Sequence, residues 1–466
     1  MPRFGISRDI AILIASGAVR NFGFGFYNVI FAIYLAKLGF STVTIGTVVS
    51  LATLSGVAQT LIGSVLMDHY SRKRMMIFWG LLTLIGSGVM AWSSDPFVVA
   101  TMSALGLIGA RAGGSGAGGL GGPVMVGQVA MLADKSPNEK RTSIFAINAL
   151  ALHTAGSLGA FLAALPDLFQ ARGWDELSSY RWLFGIGCIT SLFYVVIISF
   201  YREGEPVRTV HDADAPQQRF SVRNIIPQKS KKFVGKMALL GAFDSFGSSL
   251  HSSLLPYWFF VVYGASVSEI GPLFAISNLI GSATLLIGAK LADRIGNVNA
   301  TVLTHLPAPL LLILLPFCPD FRSAAILQIV RQAVSRMDNP IKQSYMMALV
   351  PREERARARG FTTVFQRLSG SLSPSAAAYM MSAISTSMPF FIGGAIQFAH
   401  DILYYFTFRN IKPPEELSKQ ALDLSKEQAD TWKLARSSDY PIDKAALSND
   451  PEQAAPSSLP PVREGK

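Results

Sequence analysis

Long apolar runs, separated by short polar stretches, extend from residue 10 to residue 408. Most of the runs hold about 20 residues, the length that an α-helix needs to cross a bilayer of about 30 Å, whereas buried strands of soluble proteins hold only about 4–8. The fourth and tenth runs are longer than one span requires, and the ninth contains Pro307 and Pro309. The pattern predicts an all-α integral membrane protein with twelve transmembrane helices, at Ile10–Leu35, Thr44–Met67, Met75–Trp92, Phe97–Leu132, Ser143–Leu165, Trp182–Tyr201, Met237–Tyr263, Ile270–Ala292, Ala300–Phe317, Ala324–Val350, Thr362–Ile384 and Phe390–Phe408.

The polar stretches divide the chain into four parts. The longest stretch between two apolar runs separates six runs from six, and the residues after 409 are rich in Pro, Glu, Ser and Lys without apolar periodicity. We expect an N-terminal six-helix bundle at 1–201, a cytoplasmic linker at 202–236, a C-terminal six-helix bundle at 237–409 and a disordered cytoplasmic tail at 410–466.

Lysine and arginine fall mostly on one side of the predicted bundle. With an even number of spans both termini share a side, and the stretches on that side carry twenty-three basic residues up to Lys412. The opposite stretches carry only four, which are Lys37, Arg172, Arg181 and Arg322. This bias predicts that both termini are cytoplasmic. The first run is long enough to span and shows no cleavable signal peptide, so we interpret it as a signal anchor. The plasma membrane is the favoured location.

Composition and charge exclude several other classes of protein. Half of the 466 residues are hydrophobic and only 15% are charged, against about a quarter in a soluble domain. The net charge of +11 is not gathered into one basic domain, so we expect no nucleic-acid partner. The two cysteines, Cys188 and Cys318, offer neither a zinc spacing nor a disulfide framework. No catalytic constellation stands out, and we expect no enzyme activity, no cofactor and no metal.

The two halves of the chain repeat each other. Asp68 and Asp293 stand 225 positions apart, after the second and the eighth runs. Arg20 and Asp244 occupy equivalent positions, 224 apart, in the first and seventh runs. Repeated halves are typical of secondary transporters, which bind their substrate between the halves near the middle of the membrane.

The residues around the repeated aspartates resemble a loop motif of the major facilitator superfamily, Gly-x-x-x-Asp-Arg-x-Gly-Arg-Arg, at the cytoplasmic end of helix two. The two copies contain Gly63, Asp68, Arg72 and Lys73, and Gly288, Asp293, Arg294 and Gly296. His69, Ser71 and Asn297 depart from the motif. The resemblance implies two pseudo-symmetric six-helix bundles, alternating access, and a gating role in which the aspartate braces the cytoplasmic side against a helix N-terminus. The alternative is a basic loop that only fixes the topology.

Charged side chains within the predicted spans cost at least about 2.5–3.5 kcal/mol each, so each needs a partner or a function. The resemblance implies that the first and seventh helices line the central cavity, where Arg20 and Asp244 could form an ion pair in one state and break it in another. A static pair, or separate partners, are the alternatives. Asp244, Ser248 and His251 share one helix face, which could relay protons or could be a polar face bonded to neighbouring helices.

Further charges stand in the fourth and tenth runs. Arg111 opens a stretch that partly resembles the helix-four motif of proton-coupled drug antiporters. It could act on a carboxylate, bind an anion or bond to helix carbonyls. The tenth run holds Arg331, Arg336 and Asp338, and Pro340 predicts a local break in its helix. The candidate substrate and coupling residues are therefore Arg20, Arg111, Asp244, Ser248, His251, Arg331, Arg336 and Asp338.

Basic residues within the spans outnumber acidic ones by six to two. They are Arg20, Arg111, Arg331, Arg336, Lys342 and Arg367, against Asp244 and Asp338. The surplus favours an organic anion or metabolite, carried by proton-coupled symport or exchange. Proton-coupled efflux of amphipathic compounds and a solute receptor that transports nothing are the alternatives. The expected partners are a small-molecule substrate, H⁺ and the lipid bilayer, and we expect a monomer.

Overall fold

Helices account for nearly all of the regular structure that the computed structural model describes. The model describes residues 7–105, 107, 122–137, 140–203, 228–284, 287, 291–292, 294–351, 354–411 and 413, without the side chains of residues 65, 68, 69, 141, 142, 339, 340 and 356. Arg111, Gly288, Asp293, the side chain of Asp68, most of the linker and nearly all of the tail therefore lie outside the described residues. The described residues form twelve helical segments in chain order, as the apolar pattern predicts.

The N-terminal half contains six of these segments. They are α1 (Arg8–Lys37), α2 (Thr42–His69), α3 (Arg72–Trp92), α4a (Pro96–Ala104) with α4b (Gly122–Lys135), α5 (Arg141–Phe161, extended by the turns Leu162–Ala164 and Leu165–Gln170) and α6 (Glu176–Ser199). The C-terminal half contains α7a (Lys231–Ser252) with α7b (Leu255–Tyr263), α8 (Val267–Ala283), α9a (Asn297–His305) with α9b (Pro307–Leu314, followed by the turn Leu315–Phe317), α10a (Phe321–Ser335) with α10b (Asp338–Leu349), α11 (Arg355–Ala383) and α12 (Met388–Phe408).

Six helices of the described part are long and apolar enough to span a membrane on their own, by length and composition. They are Arg8–Lys37, Thr42–Ser64, Arg72–Trp92, Ser143–Gln170, Glu176–Ser199 and Asn297–Phe317. The other segments are broken, adjoin residues outside the description, or carry polar groups that lower their apolarity. Apolar side chains are exposed along the helices, as a lipid-facing surface requires; examples are Leu54, Ile62, Phe78, Ile85, Phe193 and Leu239.

Three of the C-terminal helices are broken four residues before a proline. α7a ends at Ser252 ahead of Pro256, α9a ends at His305 ahead of Pro309, and α10a is capped by Arg336 ahead of Pro340. A proline has no N–H to give to the carbonyl four residues earlier, and its ring clashes with that carbonyl. The missing bond accounts for these breaks, whereas α8 and α11 continue through Pro272 and Pro374. The sequence predicts the tenth-helix break at Asn339–Pro340, but in the structure it begins at Arg336, because the lost bond lies one turn earlier.

Side-chain caps define where several helices begin. Ser7, Ser41 and Ser71 accept backbone N–H groups in the first turns of α1, α2 and α3. Asp175 and Asp320 do the same for α6 and α10a. A cap of this kind contributes about 1 kcal/mol, and these residues mark the polar stretches as helix starts.

The two halves pack against each other at one end of the bundle. We call the end at which α1 begins and α12 ends the terminal end, and the other the opposite end. At the opposite end Ser375 N donates to Ser50 Oγ at 2.9 Å, and the hydroxyls of Thr42 and Tyr257 lie 3.0 Å apart. The largest buried apolar cluster runs through both halves there, from Phe31 and Tyr34 to Trp258 and Phe390.

The described apolar core divides at the terminal end. Ile10, Met67 and Val124 belong to a cluster within the N-terminal half, whereas Val234 and Met346 belong to another within the C-terminal half. The halves are therefore joined at the opposite end and have separate cores at the terminal end, an arrangement that leaves a cavity between them.

Candidate functional site

The cavity between the halves has a volume of about 540 Å³. It reaches Met346 and Arg359, each about one turn from the terminal end of its helix. Side chains of both halves line it, among them Arg20, Asn21, His153, Asp244, Ser248, His251, Arg331, Arg336, Asp338 and Lys342. Seven of the eight candidate substrate and coupling residues thus face one space, and Arg111 lies outside the described residues. That these residues bind a solute stays a prediction.

Lys342 connects two carboxylates on the C-terminal side of the cavity. Its Nζ lies 2.7 Å from Asp338 Oδ2, one turn earlier in α10b, and 3.6 Å from Asp244 Oδ2 in α7a. We call these three residues the lysine triad. Asp338 is 3% exposed, so its charge depends on this contact. The break at Arg336–Met337 begins a new helix at Asp338 and aligns Asp338 and Lys342 on one face at i, i+4.

In this conformation the ion pair of Asp244 is with Lys342 and not with Arg20. The Arg20 guanidinium lies 4.9 Å from the ring centre of Phe24, one turn along α1. The sequence analysis considered direct pairing of Arg20 with Asp244 in one state of the transport cycle. The structure gives Asp244 a separate partner here, and a pair in another state stays a prediction.

His251 does not bond to Asp244, although both lie on α7a. Its Nδ1 is 3.3 Å from the carbonyl oxygen of Gly247, and its ring packs 6.4 Å from that of Phe390. The imidazole is 2% exposed. Ser248, between them on the same face, is only half-buried and lines the cavity. A relay from Asp244 to His251 would therefore need water or a moved side chain.

A second triad joins α9a to α12. His305 Nδ1 lies 2.9 Å from both oxygens of Asp401, and His400 Nδ1 lies 3.0 Å from Asp401 Oδ1. All three side chains are at most 6% exposed. We call these residues the histidine triad. The sequence identifies both histidines as titratable and within the spans, but nothing in it brings α9a and α12 together.

The histidine triad also contains residue types that bind metals, and its possible ligand atoms all lie within 4.8 Å of one another. Each Nδ1 nevertheless lies at a hydrogen-bond distance from a carboxylate oxygen. A zinc ion would need its nitrogen ligands at about 2.0–2.1 Å from itself and, most often, a fourth ligand. The geometry is that of imidazoles that donate to a shared carboxylate.

Four arginines line the C-terminal side of the cavity, and among the described residues none of them forms an ion pair with a carboxylate. Arg331 Nε donates to Gln328 Oε1 at 2.9 Å, and Arg336 Nη2 donates to Asn278 Oδ1 at 2.6 Å. Both arginines are 5% exposed. Arg359 and Arg367 of α11 line the same space. Arg331 and Arg336 thus have neutral partners where charged ones would be expected, and the four guanidinium groups make this side of the cavity electropositive.

The first copy of the loop motif lies at the terminal end between α2 and α3. Arg72 Nη1 forms an ion pair with Asp134 at the end of α4b, and the backbone N–H of Lys73 donates to Glu203 Oε1 at 3.4 Å. A Cβ on Gly63 would lie 2.5 Å from Pro123 Cβ, so glycine is required where α2 crosses α4b. The motif thus ties α2, α3 and α4b together.

The second copy is described only in part. Arg294 is exposed, and Gly296 precedes α9a with φ of +84°, a conformation that favours glycine. Glu354, the residue before α11, accepts the backbone N–H groups of Lys229 and Ser230 at 2.9 and 3.0 Å. These hydrogen bonds lower the pKa of the Glu354 carboxyl below its ordinary value. Glu354 therefore fastens the start of α7a to the start of α11.

Comparison with known proteins assigns the family. The model of the Major Facilitator Superfamily matches residues 13–335 and 237–440. A relative in Saccharomyces cerevisiae, the uncharacterized membrane protein YJR124C, is 21% identical over 432 residues, which cover 87% of this chain and 95% of that protein.

Solved transporters share the fold at low identity. A D-xylose–proton symporter superposes with a TM-score of 0.64 at 14% identity, over 85% of this chain and 97% of that one. The human organic anion transporter MFSD10 superposes with a TM-score of 0.56 at 12% identity, over 87% of this chain and 100% of that one. These likenesses concern the fold, and the family model covers both halves of the chain. The chain belongs to the Major Facilitator Superfamily of membrane transporters, as the loop motif and the repeat predict.

Proposed function

We propose that the protein is a proton-coupled secondary transporter that carries a small organic anion by alternating access. The observation that supports this most directly is a set of cavity arginines that form no ion pair with a carboxylate of the described residues, Arg331, Arg336, Arg359 and Arg367. Planar guanidinium groups bind carboxylates and phosphates in a bidentate manner. A solute with one or two such groups would supply the missing negative charge.

The described lining of the cavity as a whole carries more positive than negative charge. Six cations line it, namely Arg20, Arg331, Arg336, Lys342, Arg359 and Arg367, against Asp244 and Asp338. Lys342 already compensates the two carboxylates in part. The remaining positive charge lies in a space partly screened from water, where it attracts anions more strongly than an exposed patch would.

The orientation of the cavity follows from the basic loops. We propose that the terminal end is cytoplasmic, because twenty-three lysines and arginines face that side and four face the other. The cavity, which reaches towards the terminal end, then corresponds to an inward-facing state. A plasma-membrane location and a monomeric state are part of the same proposal.

Counterflow into proteoliposomes tests the substrate class, because exchange needs no ion gradient. The panel contains dicarboxylates, sugar phosphates, neutral sugars, nucleosides and cationic dyes. We expect saturable exchange of one of the anions. Exchange of neutral or cationic solutes alone would contradict the proposal, and binding without any exchange would identify a receptor.

The arginines are tested with a matched control. Arg331→Gln and Arg336→Gln should each lower anion exchange about tenfold or more, since a hydrogen bond to a charged group contributes about 1.5–3 kcal/mol. Arg172→Gln, at an exposed position between α5 and α6, should leave exchange unchanged. Equal effects at all three positions would refute a role for the cavity arginines.

A further inference from the structure

Asp401 is a buried carboxylate whose described partners are two imidazoles. It is 1% exposed and lies behind the cavity wall, whereas His305 and His400, which contact it, line the cavity. Among the described ion pairs, none brings lysine or arginine to Asp401. With both imidazoles neutral, the histidine triad carries one negative charge in the protein interior that no ion-pair contact compensates. One added proton on either ring neutralises it.

Lys342 of the neighbouring lysine triad acts on Asp401 electrostatically but makes no ion-pair contact with it. Its single ammonium group is shared between Asp338 and Asp244, so the lysine triad also carries one net negative charge. The two triads meet at Tyr404, whose ring lies 5.7 Å from Lys342 Nζ and 5.8 Å from the His400 ring. The Tyr404 hydroxyl is buried without a hydrogen-bond partner among the described residues. Because the lysine triad and the histidine triad are adjacent and both carry negative charge, the uptake of a proton by the histidine triad becomes more favourable.

The charged and titratable groups that face the histidine triad come from every helix packed around it. They are Asp244 and His251 of α7a, Asp338 and Lys342 of α10b, and Tyr404 of α12. Arg331 of α10a and Arg359 and Arg367 of α11 line the same cavity. Asp338 and Asp244 favour a protonated imidazole, whereas Lys342 and the arginines disfavour it. An anion that binds to the arginines removes part of this opposition.

We propose that the histidine triad, His305–Asp401–His400, is the site that holds the coupled proton. The inference rests on the proposed function for its transport role. It places the proton on α9a and α12, whereas the sequence pattern suggested Asp244 and His251 of α7a.

The charges also set the direction of coupling. A proton on the triad strengthens the binding of an anion in the same cavity, and by linkage the anion strengthens the binding of the proton. Proton and anion are then carried together, so the transporter is a symporter. Release of both in the second state leaves an empty carrier free to return.

Nitrogen-15 NMR of the full-length chain, labelled at histidine and purified in detergent, tests proton binding without any substrate. The chain has only six histidines, so His305→Gln and His400→Gln assign the two relevant signals. From about pH 5 to pH 8, we expect a triad histidine to stay protonated at values where an ordinary imidazole is already neutral.

Asp401→Asn should abolish this difference. Neutral triad histidines throughout the range, or signals that Asp401→Asn leaves unchanged, would overturn the proposal. If Asp401→Asn does not fold, His400→Gln takes its place. His305 keeps its contact with Asp401 in that variant, so its NMR signal should still show a protonated ring at pH values where an ordinary imidazole is neutral. The same samples are titrated with Zn²⁺. Stoichiometric binding that requires all three residues, with both imidazoles neutral in metal-free protein, would identify a metal site and overturn the proton site.

Transport assays test the coupling separately. With a solute that exchanges in counterflow, Asp401→Asn and His305→Gln should lower uptake driven by a proton gradient far more than they lower counterflow. His211→Gln should keep both. Gradient-driven uptake that survives in the triad variants refutes the coupling site, even where the anion transporter itself is established. If no solute of the panel exchanges, the proposed function fails and the NMR result still decides the proton site.

Discussion

The contact between Lys342 and Asp338 allows the most quantitative prediction. Its 2.7 Å separation corresponds to an attraction of about 6 kcal/mol at an effective dielectric constant of about 20, and about 1.5 kcal/mol in water. Lys342→Met keeps the length and apolar stem of the side chain but removes the charge. Asp338 then remains buried, and Asp244 loses the same partner. Loss of one partner of a buried pair costs about 3–5 kcal/mol.

An exposed pair of equal length serves as the control. Lys37 Nζ lies 2.6 Å from Glu176 Oε1, but the two side chains are 27% and 45% exposed, against 17% and 4% for Lys342 and Asp338. An exposed pair contributes only about 0–1 kcal/mol. Lys37→Met should therefore have little effect, although its contact is as short.

The assay is the fraction of monodisperse protein that survives heating in detergent, followed by size-exclusion chromatography. Lys342→Met should lower the midpoint by several degrees, since 1 kcal/mol corresponds to about 2–4 °C in chains of about 150–250 residues. Adding Asp338→Asn should restore much of the loss, because the unpaired buried charge is gone. If burial controls the strength of the ion pair, Lys342→Met lowers the midpoint more than Lys37→Met does. Equal midpoints for Lys342→Met and Lys37→Met, or no rescue by Asp338→Asn, would refute the reasoning.

Three further predictions concern the movement between states. Gly46→Val should separate the halves at the opposite end, because its Cβ would lie 2.5 Å from a backbone oxygen of α11, and alkylation of a single cysteine placed there should increase. The control is Gly185→Val, whose Cβ would meet nothing within 4 Å and which should leave alkylation unchanged. Glu354 ties α7a to α11 through a carboxylate with a lowered pKa, so its stabilising effect is full above the ordinary carboxyl pKa and is lost as pH falls through the lowered value. Glu354→Gln should remove this acid-sensitive step from a plot of thermal midpoint against pH. Asp68→Asn should leave folding intact and increase alkylation of cysteines at the terminal ends of the helices, and unchanged labelling with normal transport would exclude a brace.

The positions of the helices and one of the breaks could be predicted from the sequence, because each depends on local chemistry. Apolar length predicts the twelve segments, and Pro340 predicts a break in the tenth helix. The breaks at Ser252 and His305 were not predicted, since a proline is not decisive by itself: Pro272 and Pro374 lie inside unbroken helices. The break in the tenth helix shows the limit of this reasoning. It is correct in kind but displaced, because a proline removes the bond to a carbonyl one turn earlier.

The partners of the buried charges could not be predicted from the sequence. Arg20 and Asp244 look like a pair because they occupy equivalent positions in the repeat, but Lys342 is nearer to Asp244 through the packing of α10b on the cavity. His305 and Asp401 are 96 residues apart, in helices that meet only in the folded bundle. The sequence shows which charged residues fall within the membrane spans and therefore need partners. Three-dimensional packing decides which partners they have.

The repeat supplies the fold twice, but His305 has no ionisable counterpart at the equivalent position of the N-terminal half. With the offset of 225 that relates Asp68 to Asp293, the N-terminal counterpart of His305 is Gly80 in α3. A Cβ on Gly80 would lie 2.7 Å from Cε1 of Tyr194, so an aromatic ring fills that space in the N-terminal half, whereas in the C-terminal half it holds an imidazole bonded to Asp401. A rocking motion needs two similar halves, but electrostatic coupling needs only one charged partner for each ion. On our proposal the C-terminal half therefore binds the proton and most of the anion charge, and the N-terminal half acts mainly as the surface against which it moves.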